Sequence, residues 1–146
     1  MNVILASDHG GTHLRKEVAR LLEEMDVNVT DSGCDCEGSV DYSDYSLPAA
    51  ERVANGEFDK GIFICGTGIG MSISANKVKG IRAALVHDVF TAKVTREHND
   101  SNILCMGERV IGTGLALEIV KTWFFTEFEG GRHARRVQKI ADYENK

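Results

Sequence analysis

The stretch Gly61-Ile62-Phe63-Ile64-Cys65-Gly66-Thr67-Gly68-Ile69-Gly70-Met71-Ser72 is a short apolar run that opens into a loop with glycine at every second position. An apolar run of this length, closed by a glycine-rich turn, reads as a strand buried on both faces, the kind that parallel sheets contain. The same alternation continues outward in both directions. Val3–Ser7, Val27–Asp31, Ile81–His87 and Asn102–Met106 complete a set of five strands. Helix-period segments separate them at Thr12–Met25, Leu47–Asn55, Met71–Val78, Val89–Glu97 and Gly114–Phe128. Leu14, Val18, Leu21 and Leu22 make a clean apolar stripe, whereas the short segment at 71–78 rests mainly on the loop before it. Glu129-Gly130-Gly131 stops one helix, and Arg132–Tyr143 has the composition of another that lies outside the alternation.

Strands alternating with helices from end to end predict an α/β protein: a single Rossmann-like, flavodoxin-like three-layer sandwich with a five-stranded parallel sheet and an extra C-terminal helix. In such sheets ligands bind beyond the C-terminal ends of the strands, where neighbouring crossovers pass to opposite faces. The loops Ser7-Asp8-His9-Gly10-Gly11 and Cys65–Gly70 both belong there. Strand order 2-1-3-4-5 makes their strands neighbours, and it is the order expected. The single proline, Pro48, is read in the first turn of a helix, where it is tolerated.

At 146 residues and 42% hydrophobic composition the chain has material for one substantial core, so one domain over residues 1–146 is expected. A formal charge of −5 argues against nucleic acid or an anionic membrane as the main partner, since both are bound through excess Lys and Arg. No apolar run approaches the roughly 20 residues of a membrane span, and the start lacks the pattern of a signal peptide. A cytoplasmic protein is expected, with its four cysteines as thiols. Against the acidic total, Arg132, Arg135 and Arg136 cluster near the C-terminus.

Taken singly, each chemical feature has a bland reading beside a functional one. The loop Gly66–Gly70 can bring backbone N–H groups close to an anion at a helix N-terminus. It matches neither G-x-G-x-x-G nor the lysine-bearing P-loop, so no dinucleotide or ATP site is predicted. Cys65 stands at the strand–loop junction, where amides and a helix N-terminus favour thiolate, and a thiolate there can act as a base. Cys105 is read as an inert buried residue. Cys34-x-Cys36 has no second ligand pair at zinc-site spacing, and His9 and His13 lack an H-E-x-x-H context. No metal is predicted. His98, before Asn99 and Asp100, reads as a turn residue by composition. Arg132 and Arg136, at i,i+4, can converge on a phosphate or form a solvated face.

Together the blocks Ser7–Gly11, Asp41-Tyr42, Cys65–Ser72, Ala75-Asn76-Lys77, Gly80–Ala83, Arg96–Asp100 and Glu129–His133 closely resemble the type B ribose-5-phosphate isomerases. The wider family includes galactose-6-phosphate and allose-6-phosphate isomerases, and the resemblance covers nearly the whole chain. It implies an aldose–ketose isomerase with Cys65 as the base at C2, Thr67 shuttling protons and His98 opening the sugar ring. It also implies substrate contacts from Asp8, His9, Tyr42 and Asn99, and an oxyanion held by the amides of Gly66, Thr67, Gly68, Ile69 and Gly70. Arg109, Arg132 and Arg136 would be the phosphate-side arginines. Proton transfer beside a carbonyl needs a base and preorganised donors, with no metal or redox cofactor. A branch of the family has Glu at the position of Met71 and lacks the cysteine, so this chain goes with the cysteine-base branch. Ser43 stands where proline is frequent, in a stretch read as a loop over the sugar. Ribose 5-phosphate is the expected substrate and a 6-phosphohexose the alternative.

Chain direction adds an expectation about assembly. Asp8 and Cys65 end strands, whereas His98 and Asn99 follow a helix running back and precede strand five. A five-residue strand separates the two sheet edges by roughly 17 Å, too far for one small sugar to touch both. A homodimer with shared sites is therefore expected, with further pairing into tetramers left open. Two rivals are a non-enzymatic module for a nucleotide or sugar phosphate and a cysteine phosphatase. The first gives Cys65 and His98 no joint role. The second wants an arginine within a few residues of the cysteine, and the next one along the chain is Arg82.

Overall fold

Every residue of Lys60–Cys65 and of Ile103–Gly107 is buried, so both strands need cover on two faces and neighbours on two sides. The computed structural model, which describes residues 1–146, supplies them. Strands β1 (Asn2–Ser7), β2 (Asn28–Asp31), β3 (Lys60–Cys65), β4 (Ala83–Leu85) and β5 (Ile103–Gly107) form one sheet, and all of its pairings are parallel. Helices α1 (Thr12–Glu24), α2 (Tyr42–Ala54), α3 (Ile69–Ala75), α4 (Val89–Asn99) and α5 (Thr113–Phe125) connect or follow the strands, and α6 (Arg132–Glu144) ends the chain. No helix is long and apolar enough to cross a membrane.

The sheet order is β2-β1-β3-β5-β4, which corrects the expected 2-1-3-4-5. The reason is burial. β5 is apolar throughout and takes the inner place beside β3, with Gly61 opposite Ile103 and Cys65 opposite Gly107. β4 is three residues long and ends on the exposed Leu85, as suits an edge. Ile81–Arg82 and Val86–His87, read as strand from sequence, lie outside it.

Alternation along the strands separates two cores. Val3, Leu5, Ile62, Ile64, Leu104 and Met106 face α1 and α5 through Leu14, Val18, Leu22, Ile119, Val120 and Trp123. Ile4, Ala6, Phe63, Cys65, Ile103 and Cys105 face α2 and α3 through Ala49, Ala50, Val53, Met71 and Ala75. The helix after β1 and the helix after β3 therefore cover opposite faces. Because β1 and β3 remain neighbours, the crevice expected between their loops survives the change of strand order.

Several boundaries move. α2 begins at Tyr42, five residues before the expected start, with Asp41 extended as its N-cap residue. Pro48 is therefore inside the helix; it is exposed, so solvent can serve the carbonyl that its missing N–H leaves free. Ser43 lies in the first helical turn, where proline is tolerated, rather than in a loop. α4 runs through His98 to Asn99, stopped by the left-handed Asp100 at φ 47°, so His98 is helical and not in a turn. α5 ends at Phe125, short of 128, where Thr126 turns extended. Cys34 and Cys36 bring their side chains together, with Cα atoms 5.3 Å apart. Cys65 and Cys105 remain free and buried.

Candidate active site

The loops after β1 and β3 meet at the C-terminal edge of the sheet. They approach so closely that a Cβ on Gly10 would stand 2.9 Å from the Gly66 amide nitrogen. Asp8, buried at the end of β1, accepts the Gly10 N–H at 2.8 Å and so caps the turn that carries His9. Cys65 ends β3 and is nearly enclosed, at 5% exposure. Its sulfur accepts the Gly68 N–H at 3.1 Å, a donor aimed at the place where charge sits once the thiol gives up its proton.

That hydrogen bond depends on a left-handed turn. Gly68 has φ +77°, and a Cβ there would stand 2.6 Å from the Leu85 side chain and 2.8 Å from the Met106 carbonyl carbon. Only glycine satisfies both the dihedral and the contact. Thr67 lies exposed beside it, its Oγ1 accepting the Ile69 N–H at 3.3 Å, within reach of anything seated on the loop. Tyr42, the first residue of α2, packs its ring against Gly70. The Arg109 side chain lies over Gly66, and its backbone N–H donates to the Gly66 carbonyl at 3.0 Å. Asp8, His9, Tyr42, Cys65, Gly66, Thr67, Gly68, Ile69, Gly70 and Arg109 are thus gathered at one edge by a single chain.

His98, Asn99, Arg132 and Arg136 are not there. α4 leads back along the sheet, and the Arg82 guanidinium at the start of β4 donates to the carbonyls of Asn99 and Asp100. The His98 ring stacks on His133 of α6 with centroids 4.1 Å apart, and Glu144 at the far end of α6 accepts the Gly80 N–H just before β4. These residues occupy the N-terminal edge. Arg132 and Arg136 are both exposed. The chain's cavity, about 410 Å³ and lined by Asn76, Arg82, Asn99, Ile140 and Glu144 among others, also lies at this edge, while the Cys65 loop stands open.

His98, Glu129 and His133 bring possible metal-ligand atoms within 4.8 Å of one another. The two imidazole planes are only 11° from parallel. Ring lone pairs lie in the ring planes, so two stacked rings hold theirs in separate, nearly parallel planes that do not meet at one ion. Burial, with the neighbouring His98, Arg132 and Arg136, pushes the His133 pKa down, and Glu129 opposes it.

Comparison with known proteins decides the family. A model of the ribose/galactose isomerase family matches residues 3–140. The chain belongs to that family. Ribose-5-phosphate isomerase B of Escherichia coli is 43% identical over 144 residues, covering 99% of this chain and 97% of that one. The structure of Clostridium thermocellum ribose-5-phosphate isomerase B is 53% identical, with a TM-score of 0.97 over 99% of this chain and 98% of that one. That of the Mycoplasma genitalium enzyme, with bound ribulose-5-phosphate, is 41% identical at a TM-score of 0.95, over 99% of this chain and 96% of that one.

Within this isomerase fold two residues beside the site escape a motif reading. His87 accepts the Gly107 N–H on Nε2 at 2.9 Å, and Gly107 pairs with Cys65 across the sheet, so the ring braces the strand under the cysteine. Burial lowers the His87 pKa against the pull of Asp88, which favours the neutral ring that this bond requires. Arg15 is the other, fully buried on α1. The signal for Arg15 was a charged residue inside the Leu14–Leu22 apolar stripe. For His87 there was none, because its partner is a backbone group twenty residues away.

Proposed function

We propose that the protein interconverts ribose 5-phosphate and ribulose 5-phosphate through an enediolate, with Cys65 as the base. The observation that carries this is the Gly68 N–H on the Cys65 sulfur at 3.1 Å, in a glycine-rich loop packed beside the turn after β1. Cys65 as thiolate takes the proton from C2 of the open-chain aldose, leaving an enediolate whose oxygen charge falls among the Gly66–Gly70 amides. The proton returns from the thiol to C1, and Thr67 exchanges a proton between the two oxygens. The C2–H bond breaks, a C1–H bond forms, and no electron is gained or lost overall. Cys105 is no competitor, since complete burial, with the Cys65 sulfur nearby, pushes its thiol far above the ordinary range.

Ring opening by His98 and phosphate binding by Arg132 and Arg136 require groups from the other sheet edge. A β3 of six residues spans about 20 Å, so the site is completed by a second copy of the chain. His98, Asn99, Arg132 and Arg136 then reach the Cys65 loop from the partner, while Arg109 comes from the same chain as Cys65. The bound ribulose-5-phosphate in the Mycoplasma genitalium relative supports the pentose reading. The family description, which includes galactose, supports a 6-phosphohexose as the second.

The test is to supply purified protein with ribose 5-phosphate and with allose and galactose 6-phosphates, comparing kcat/KM. Ketose formation with ribose 5-phosphate preferred is the expected result. Because Arg109 lies beside the cysteine loop, the assay also follows free phosphate; its release without ketose would make the protein a cysteine phosphatase instead. Binding of the sugar without turnover would make it a binding module.

A further inference from the structure

We infer that Arg15 is a positioning residue for His9, acting by fastening the segment after β2 over the end of β1. This rests on the isomerase reading, in which His9 touches substrate. Arg15 has no exposed surface, and full burial of a guanidinium is tolerated only when its donors are used. Nε reaches the Asp31 carboxylate at 2.9 Å and Nη2 reaches Asp35 at 2.7 Å. Nη1 donates to Ser7 Oγ at 2.5 Å and to the Cys34 carbonyl at 2.7 Å. Gly33 packs against the guanidinium with no room for a Cβ.

Other bonds hold the same segment. Thr12 Oγ1 donates to the Cys34 carbonyl at 3.0 Å, and the N–H groups of Ser32 and Cys34 donate to the carbonyls of Leu5 and Ser7. Residues 31–35 are thereby tied to α1 and to the end of β1 at Ser7, immediately before Asp8. The chain then runs through the exposed Glu37, Gly38 and Ser39 to Val40, whose N–H donates to His9 Nδ1 at 3.1 Å. A ring nitrogen that accepts an amide proton carries none of its own, so the proton of neutral His9 sits on Nε2. His9 therefore offers an N–H donor on that nitrogen, and the anchor that keeps Val40 in place is Arg15. A lysine could not serve, since a point charge does not span four acceptors in a plane.

Arg15→Lys keeps the charge and removes the fork. It should lower kcat/KM for ribose 5-phosphate by roughly 10- to 100-fold, the cost of misplacing a contact group. The ¹⁵N spectrum of His9 should move from one fixed Nε2–H tautomer toward an averaged pair of nitrogens. In a His9→Ala background the same substitution should have no further effect on kcat/KM, because one acts through the other. Should Arg15→Lys fail to fold, Asp31→Asn with Asp35→Asn releases the segment from its exposed side and should produce the same spectral change. A His9 tautomer unaltered in the folded variant, or a loss that adds in full to that of His9→Ala, overturns the inference. Wild-type protein without isomerase activity would instead overturn the functional reading, and the His9 spectrum would still decide the role of Arg15.

Discussion

The His98 ring lies flat against that of His133, planes 11° apart, while Cys65 ends β3 at the opposite edge of the sheet. Both residues cannot serve one sugar within one chain. Under the shared-site proposal, co-expressed Cys65→Ala and His98→Ala chains should regain activity that neither parent has alone, since one site of each mixed dimer would combine an intact Cys65 with an intact His98. The measurement is isomerase rate on purified, differentially tagged mixed dimers. Mixed dimers no more active than the parents would end the shared-site account.

Cys65→Ala should lower kcat by about 10² to 10⁴, the range for loss of a general base, with substrate still bound. Cys105→Ala, in the same core but without exposed surface, should change thermal stability and leave kcat within a few-fold. Initial rates beside calorimetric binding separate the two. An unchanged kcat in Cys65→Ala removes the mechanism.

Replacing Arg132 or Arg136 by alanine should remove charge-assisted hydrogen bonds worth roughly 1.5 to 3 kcal/mol, a loss of about 10- to 150-fold in kcat/KM. Unphosphorylated ribose, turned over slowly, should be nearly indifferent. Equal losses on both sugars would show that these arginines do not read phosphate.

Lys60, the first residue of β3, makes a stability prediction. It is buried over Trp123 and Phe124, and burial, helped by the Arg96 charge, pushes its pKa from 10.5 down to about 8. Below pH 8 folded and unfolded chains both hold the proton, and above 10.5 neither does. Between these values the unfolded chain holds a proton that the folded chain has released, so raising the pH favours folding. The Tm of wild type relative to Lys60→Met should rise across that window. A difference that stays flat, measured by calorimetry at several pH values, contradicts the assigned burial of charge.

What the sequence by itself determined was local. Apolar runs alternating with helix-period segments specify a parallel α/β sheet, and the glycines after Cys65 specify a tight loop with little side chain, because periodicity and backbone freedom reside in neighbouring residues. The direction of each strand and helix then divides the site residues between two edges without any coordinates. Tertiary structure decided the rest. Whether Ile103–Gly107 or Ala83–Leu85 sits beside β3 depends on which strand gains more from burial on every side, a comparison between distant segments that neither contains. The helical state of His98 and the enclosure of Arg15 likewise depend on how the chain packs around them. Arg15 stands on an apolar stripe as an exception, and only the packed segment 31–35, with two carboxylates and a carbonyl to receive it, makes that exception stable.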